Sequence, residues 1–357
     1  MNTTLIAVIC IVFFSFIVPA VFYHFIAQKG LRFAGSGLFF PPLFGTLSAG
    51  CLILYFAFYN PADFLGFFTL SELLIVLFCV GGVYMSTLFS RTEHFFPLFL
   101  FIAALLSGFG LPDAAVEMVS PLPIIINRGL IVAAWFVFSY IYRYSNSGDA
   151  MTAIQSLTIS CGVGVLGVIN AIPEFFGFLG FSYAAACLAL LSFTWPPARM
   201  RITDNEASCL GFMIFALMTW CAGENAGSCV IIFALYLLID LLWAVFLRLT
   251  FIDKYSSISK NLAYFQALNL GFSPSSSAAF VLRGQLLLVF LGVFQAFTGE
   301  HGSLLLVSTF ITMWFLYKFR NLADGNKKIR DINRQVLEDL QARVNEVKQY
   351  INKDNDF

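Results

Sequence analysis

The residues that could do chemistry gather in four short polar segments between long apolar runs. The first is Tyr144-Ser-Asn-Ser-Gly-Asp-Ala-Met-Thr-Ala153. Asn146 and Asp149 lie three residues apart there and share a face if they sit on the first turn of a helix. Ser, Asn and Asp at a helix start also serve as ordinary N-caps. The second segment runs from Trp195 to Ser208 and places Asp204 at the mouth of an apolar run, with Arg199 and Arg201 close by in sequence. Such a carboxylate either caps the helix or holds Mg²⁺, which binds through one or two carboxylates plus substrate phosphates. The third is Asp240, two helical turns before Arg248. A carboxylate inside an apolar helix costs about 2.5–3.5 kcal/mol on insertion scales and calls for a partner. The fourth, from Phe251 to Gly271, carries Asp253, Lys254, Lys260 and Asn261 and forms a natural lid over a site built from the other three.

These groups need elements to position them, and the composition says what those elements are. Of 357 residues, 59% are hydrophobic and 11% charged, against roughly 25% charged in a soluble domain. So little polar surface cannot coat a globule in water, which makes the expected fold an all-α, polytopic bundle in lipid. Apolar windows predict about eleven spans at 4–27, 38–60, 65–89, 95–112, 122–142, 150–171, 174–195, 206–222, 228–250, 277–298 and 302–318. The first run has no basic residues ahead of it and no small-residue cleavage site behind it, which marks a retained span rather than a signal peptide. A zero net charge offers no electrostatic basis for binding nucleic acid. The eight cysteines lie in or beside apolar runs without a CxxC pair and read as small buried hydrophobes.

Basic residues set the expected orientation, because Lys- and Arg-bearing loops stay in the cytoplasm. With the N-terminus outside, the inner loops hold Lys29, Arg32, Arg91, Arg143, Arg199, Arg201, Arg248, Lys254 and Lys260. The outer loops hold Asp63, Asp113, Glu117, Glu174, Glu224 and Glu300. Arg128, inside the fifth span near its outer end, is the one awkward charge. An odd number of spans then leaves the C-terminus cytoplasmic. Residues 1–322 form the membrane domain, and 323–357 an amphipathic helical tail with Ile329, Ile332, Val336, Leu340, Val344, Val347 and Ile351 on one stripe. Seven basic and six acidic residues over 326–357 are too balanced for a polybasic lipid anchor. The tail is a partly solvated terminal helix, packs on the body, or forms a short coiled coil with another copy or a second protein.

Five patterns follow one another along the chain: Pro42-Leu-Phe-Gly-Thr-Leu-Ser48, Asn146-Ser-Gly-Asp-Ala-Met-Thr-Ala153, Thr203-Asp-Asn-Glu-Ala-Ser-Cys-Leu-Gly-Phe212, Leu238-Ile-Asp240 with Arg248, and Gly271-Phe-Ser-Pro-Ser-Ser-Ser-Ala278. In this order they resemble the PxxGG, NxxDGxDG, GDxGSxxxGF, PxxD and GxSxxxA stretches of the polyprenyl-phosphate N-acetylhexosamine-1-phosphate transferases. That superfamily, glycosyltransferase family 4, includes the undecaprenyl-phosphate GlcNAc-1-phosphate and phospho-MurNAc-pentapeptide transferases. The resemblance implies a bacterial inner-membrane protein of cell-wall or surface-polysaccharide assembly. Its reaction moves a sugar phosphate from a UDP-sugar to undecaprenyl phosphate at a cytoplasmic, Mg²⁺-dependent site. It also implies roles: Asp149 and Asp240 catalytic, Asp204 with Asp149 on the metal, and Asn146, Arg199, Arg201, Lys254 and Lys260 on substrate.

Two of the family's motifs have lost their chemistry in this chain. Its DDxxD falls at Gly82–Phe89, where Met85, Ser86 and Phe89 stand, and its HxHH at Leu262-Ala-Tyr-Phe265. Losing one charge-stabilising group typically costs two to three powers of ten in rate. The expectation is therefore a divergent transferase, or a catalytically silent paralogue that binds lipid carrier or nucleotide sugar or partners an active enzyme. A transporter is the alternative of a different class, and its candidate charges are Glu72, Arg128 and Asp240.

Overall fold

A computed structural model describes residues 9, 11–18, 20–21, 69–89, 95–117, 122–147, 150–199, 202–250, 258–269, 271–299 and 303–319. Among these the regular structure is helical, without strands. In chain order the helices are α1 (11–18), α2 (Leu70–Phe89), α3 (Phe96–Phe109), α4 (Asp113–Glu117), α5 (Ile124–Tyr142), α6 (Met151–Val168), α7 (Glu174–Thr194), α8 (Asp204–Cys221), α9 (Gly227–Thr250), α10 (Ala263–Asn269), α11 (Pro274–Thr298) and α12 (Ser303–Phe319). The apolar runs from 65–89 onward each coincide with one of them. The second span (38–60), Pro42–Ser48 and the 323–357 tail lie outside the described residues.

Five helical stretches among the described residues are long and apolar enough to cross a membrane: Ile124–Asn146, Met151–Val168, Glu174–Thr194, Asp204–Leu249 and Pro274–Thr298. The chain is an integral membrane protein, and large apolar side chains such as Phe78, Ile125, Leu249 and Phe310 face outward from it. The longest stretch is broken at Ala222–Ala226, where Glu224 and Asn225 leave helical geometry and Asn225 takes a φ of 63°. The break separates α8 from α9. The Arg143–Ser147 turn packs on α8 and the Ile258–Asn261 turn packs on α9, and these two turns also pack on each other. The chain thus reverses at Asn225, and both helices bring their polar residues to one end of the bundle.

Helix α6 is central, packing on α7, α8, α9 and α11. Its contact with α7 is made backbone to backbone through glycines. A Cβ at Gly180 would lie 2.7 Å from the Gly164 nitrogen, and one at Gly167 would overlap the Gly177 backbone. In lipid, where apolar burial between helices gains little, such close approach of small residues is what associates helices. Polar side chains share this interior: Thr152, Gln155, Ser156, Thr158 and Ser160 are all buried on α6. The Tyr142 hydroxyl pairs with Ser156 at 2.9 Å.

Candidate functional site: the Asn146–Asp204 end

Helix α8 is started by a reciprocal capping box rather than by Asp204. The Glu206 amide donates to the Thr203 hydroxyl, and the Thr203 amide donates to the Glu206 carboxylate at 2.7 Å. The capping work is thus done by its neighbours, and Asp204 projects outward with a largely exposed side chain. Asn146 comes to it from a stretch of chain 58 residues away, donating from Nδ2 to Asp204 Oδ1 at 3.1 Å and to the Ile202 carbonyl at 2.7 Å. The Arg143 guanidinium reaches Asp204 Oδ2 at 3.4 Å and lies over the Tyr140 ring. Packing beneath holds these groups in register. Gly211 lies against Tyr142, where a Cβ would meet the Tyr142 side chain at 2.5 Å, and the Trp135 indole donates to the Phe212 carbonyl.

Asn146 does not open α6. It belongs to a tight 3₁₀ turn, Arg143–Ser147, that extends α5. Helix α6 begins only at Met151, after Ala150 in left-handed backbone at φ 70°. Asp149, expected to share a helical turn with Asn146, lies outside the described residues. A left-handed alanine is unusual, since its Cβ crowds the following carbonyl. The resemblance expects glycine at this position.

The remaining expected residues are distributed unevenly. Arg199 is exposed on the loop that leads to α8. Among the described residues the cation that reaches Asp204 is Arg143, which the sequence marks only as an inner-loop charge. Its signal was its position three residues before Asn146 at the end of a span. Arg201 and Lys254 lie outside the described residues. Lys260 sits in the 3₁₀ turn Ile258–Asn261. Asp240 is buried and holds that lid: both carboxylate oxygens accept the Ala263 amide, at 3.1 and 3.3 Å, at the first turn of α10. The positions of the expected HxHH, Leu262 to Tyr264, are buried apolar or aromatic residues beside it.

Chemically, the Arg143 guanidinium keeps donors free beside a single exposed carboxylate, while Asn146 gives its two amide hydrogens to Asp204 and the Ile202 carbonyl and so fixes that carboxylate in place. Donors of this kind suit phosphate oxygens. They do not suit a divalent cation. Among the described residues no three His, Cys, Asp or Glu side chains come together as a metal site, and Asp204 already accepts hydrogen bonds at both oxygens. The described residues by themselves therefore do not form a Mg²⁺ site. Neither a family model nor a curated protein matches the chain.

Proposed function

We propose that this chain is a divergent membrane protein of the polyprenyl-phosphate sugar-1-phosphate transferase type. In this reading it has about eleven spans, an outer N-terminus and a cytoplasmic C-terminus, and it works at the inner face of a bacterial inner membrane. It handles a UDP-sugar and undecaprenyl phosphate in cell-wall or surface-polysaccharide assembly. One observation carries the reading. Asn146 and Asp204, drawn from two of the resembling motifs and 58 residues apart, are hydrogen-bonded to each other with Arg143 on the same carboxylate. A guanidinium held at the rim of a membrane bundle suits a pyrophosphate, because positioning and charge offset supply nearly all of phosphoryl-transfer catalysis. Any Mg²⁺ requirement would call on Asp149 beside Asp204.

The test is release of UMP from UDP-N-acetylhexosamine by the purified full chain with undecaprenyl phosphate and Mg²⁺. Transfer is expected, falling by about two to three powers of ten in Asp204→Asn. No turnover, together with no effect of Asp204→Asn on nucleotide-sugar binding, removes the reading.

A catalytically silent paralogue is the second reading, and a specific observation favours it. Where the resemblance expects histidines, Leu262 and Tyr264 are buried and Phe265 is half-buried, with the intervening Ala263 amide tied to Asp240. A silent protein binds undecaprenyl phosphate or the nucleotide sugar without releasing UMP, or co-purifies with an active transferase.

A further inference from the structure

A cavity of about 570 Å³ lies between α1 and the α6–α7 pair. Its wall is formed by Phe13 on α1, Leu157 and Cys161 on α6, and Phe181, Ala185 and Leu188 on α7, among other apolar residues. Among the described residues no charged side chain lines it. The floor is fixed, because the Phe181 ring lies so close to Gly164 that a Cβ there would meet it at 2.6 Å. The roof is α1, tied to α7 by a buried hydrogen bond of 3.0 Å between the Ser15 and Ser182 hydroxyls.

The position of the opening says what fills it. Phe13 is 58% exposed and Leu188 is 46% exposed, so the cavity runs out onto the protein's outer apolar surface. Helices α6 and α7 are both long and apolar enough to cross the bilayer, so this surface meets hydrocarbon rather than water. Apolar cavities stay dry and accept apolar guests. Along α7 the lining extends from Phe178 to Leu188, about 15 Å parallel to the helix axis, an elongated shape suited to a chain rather than a compact ligand. The described wall is apolar throughout and offers no cation to select a phosphate, so it recognises the chain rather than the headgroup. We propose that this groove is a binding site for an acyl chain of a bilayer phospholipid, clamped between α1 and α6–α7. The proposal does not depend on the transferase reading.

Native mass spectrometry of the full chain in mild detergent tests it, with dioleoyl phosphatidylethanolamine and, separately, undecaprenyl phosphate as probes. The wild type is expected to retain one phospholipid through detergent exchange. Ala185→Trp and Cys161→Phe, each of which fills the groove, should weaken that retention about tenfold at an unchanged melting temperature. Leu286→Trp on the outer face of α11 should leave it intact. A second measurement needs no variant: adding the phospholipid to delipidated protein should slow alkylation of Cys161 by a membrane-permeant maleimide. Equal retention by the filled variants, retention of undecaprenyl phosphate alone, or unslowed alkylation overturns the proposal.

Discussion

The two ends of the bundle handle charge in opposite ways. At one end Arg128 is nearly enclosed, with a side chain 13% exposed. It donates to the carbonyls of Gly108, Phe109 and Leu111 and pairs with Asp113. Gly108 and Phe109 are among the carbonyls that the C-terminus of α3 leaves without helical partners, and a cation there also meets the negative end of the helix dipole. At the other end Arg143, itself 20% exposed, makes a single long contact of 3.4 Å to the Asp204 carboxylate and donates to no backbone carbonyl among the described residues. One arginine is consumed in closing a helix. The other is loosely held, with donors to spare. Apparent anomalies in a membrane span are therefore poor guides to function until their hydrogen bonds are counted. The three charges a transporter reading would use each have backbone partners: Arg128 the carbonyls at the end of α3, Glu72 the Thr69 amide, and Asp240 the Ala263 amide.

This contrast can be broken by substitution. Arg128→Ala should be the most damaging change, destabilising the protein by about 3 kcal/mol, since hydrogen bonds to a charged group contribute roughly 1.5–3 kcal/mol and several carbonyls lose their donor. Thermal unfolding in detergent reads this out, and Arg128→Lys, which lacks the guanidinium fork, should recover only part of it. Asp240→Ala comes next at about 2 kcal/mol, because a buried amide is left unsatisfied. Its signature should be faster proteolysis within 258–269, while Asp240→Asn, which keeps an acceptor, remains protected. Ala150→Gly should act in the opposite direction and stabilise by about 1 kcal/mol, relieving a left-handed alanine. Asp204→Asn should be nearly silent for stability, within about 0.5 kcal/mol, as expected for an exposed ion pair. Substitutions at the Asn146–Asp204 end are thus expected to alter ligand handling without unfolding the protein, and those at the Arg128 end to do the reverse.

Helix identity was legible because long apolar runs separated by polar residues leave a chain in lipid few alternatives. The Phe96–Phe109 run stops at Gly110-Leu-Pro112, and the Ile124 start follows Pro123, both ordinary boundary signals. Local capping was only half legible. Thr203-x-x-Glu206 is a capping box in plain view, yet Asp204 between them is as good a cap by composition. The role of Arg128 could not be read at all, because its acceptors are carbonyls on another helix, 17 to 20 residues earlier. The same holds for Asp204, whose partners Arg143 and Asn146 are defined by how α5 packs on α8. The left-handed turn at Ala150 is also tertiary in origin, since no local preference places alanine there.

The central claim is that the Arg143–Asn146–Asp204 end binds an anionic substrate while the Arg128 end only holds the fold. Isothermal titration of the purified full chain with UDP-N-acetylglucosamine, comparing Arg143→Gln with Arg128→Lys, tests it most directly. Binding should be lost in Arg143→Gln and retained in folded Arg128→Lys. Equal affinity in Arg143→Gln and the wild type would contradict the claim.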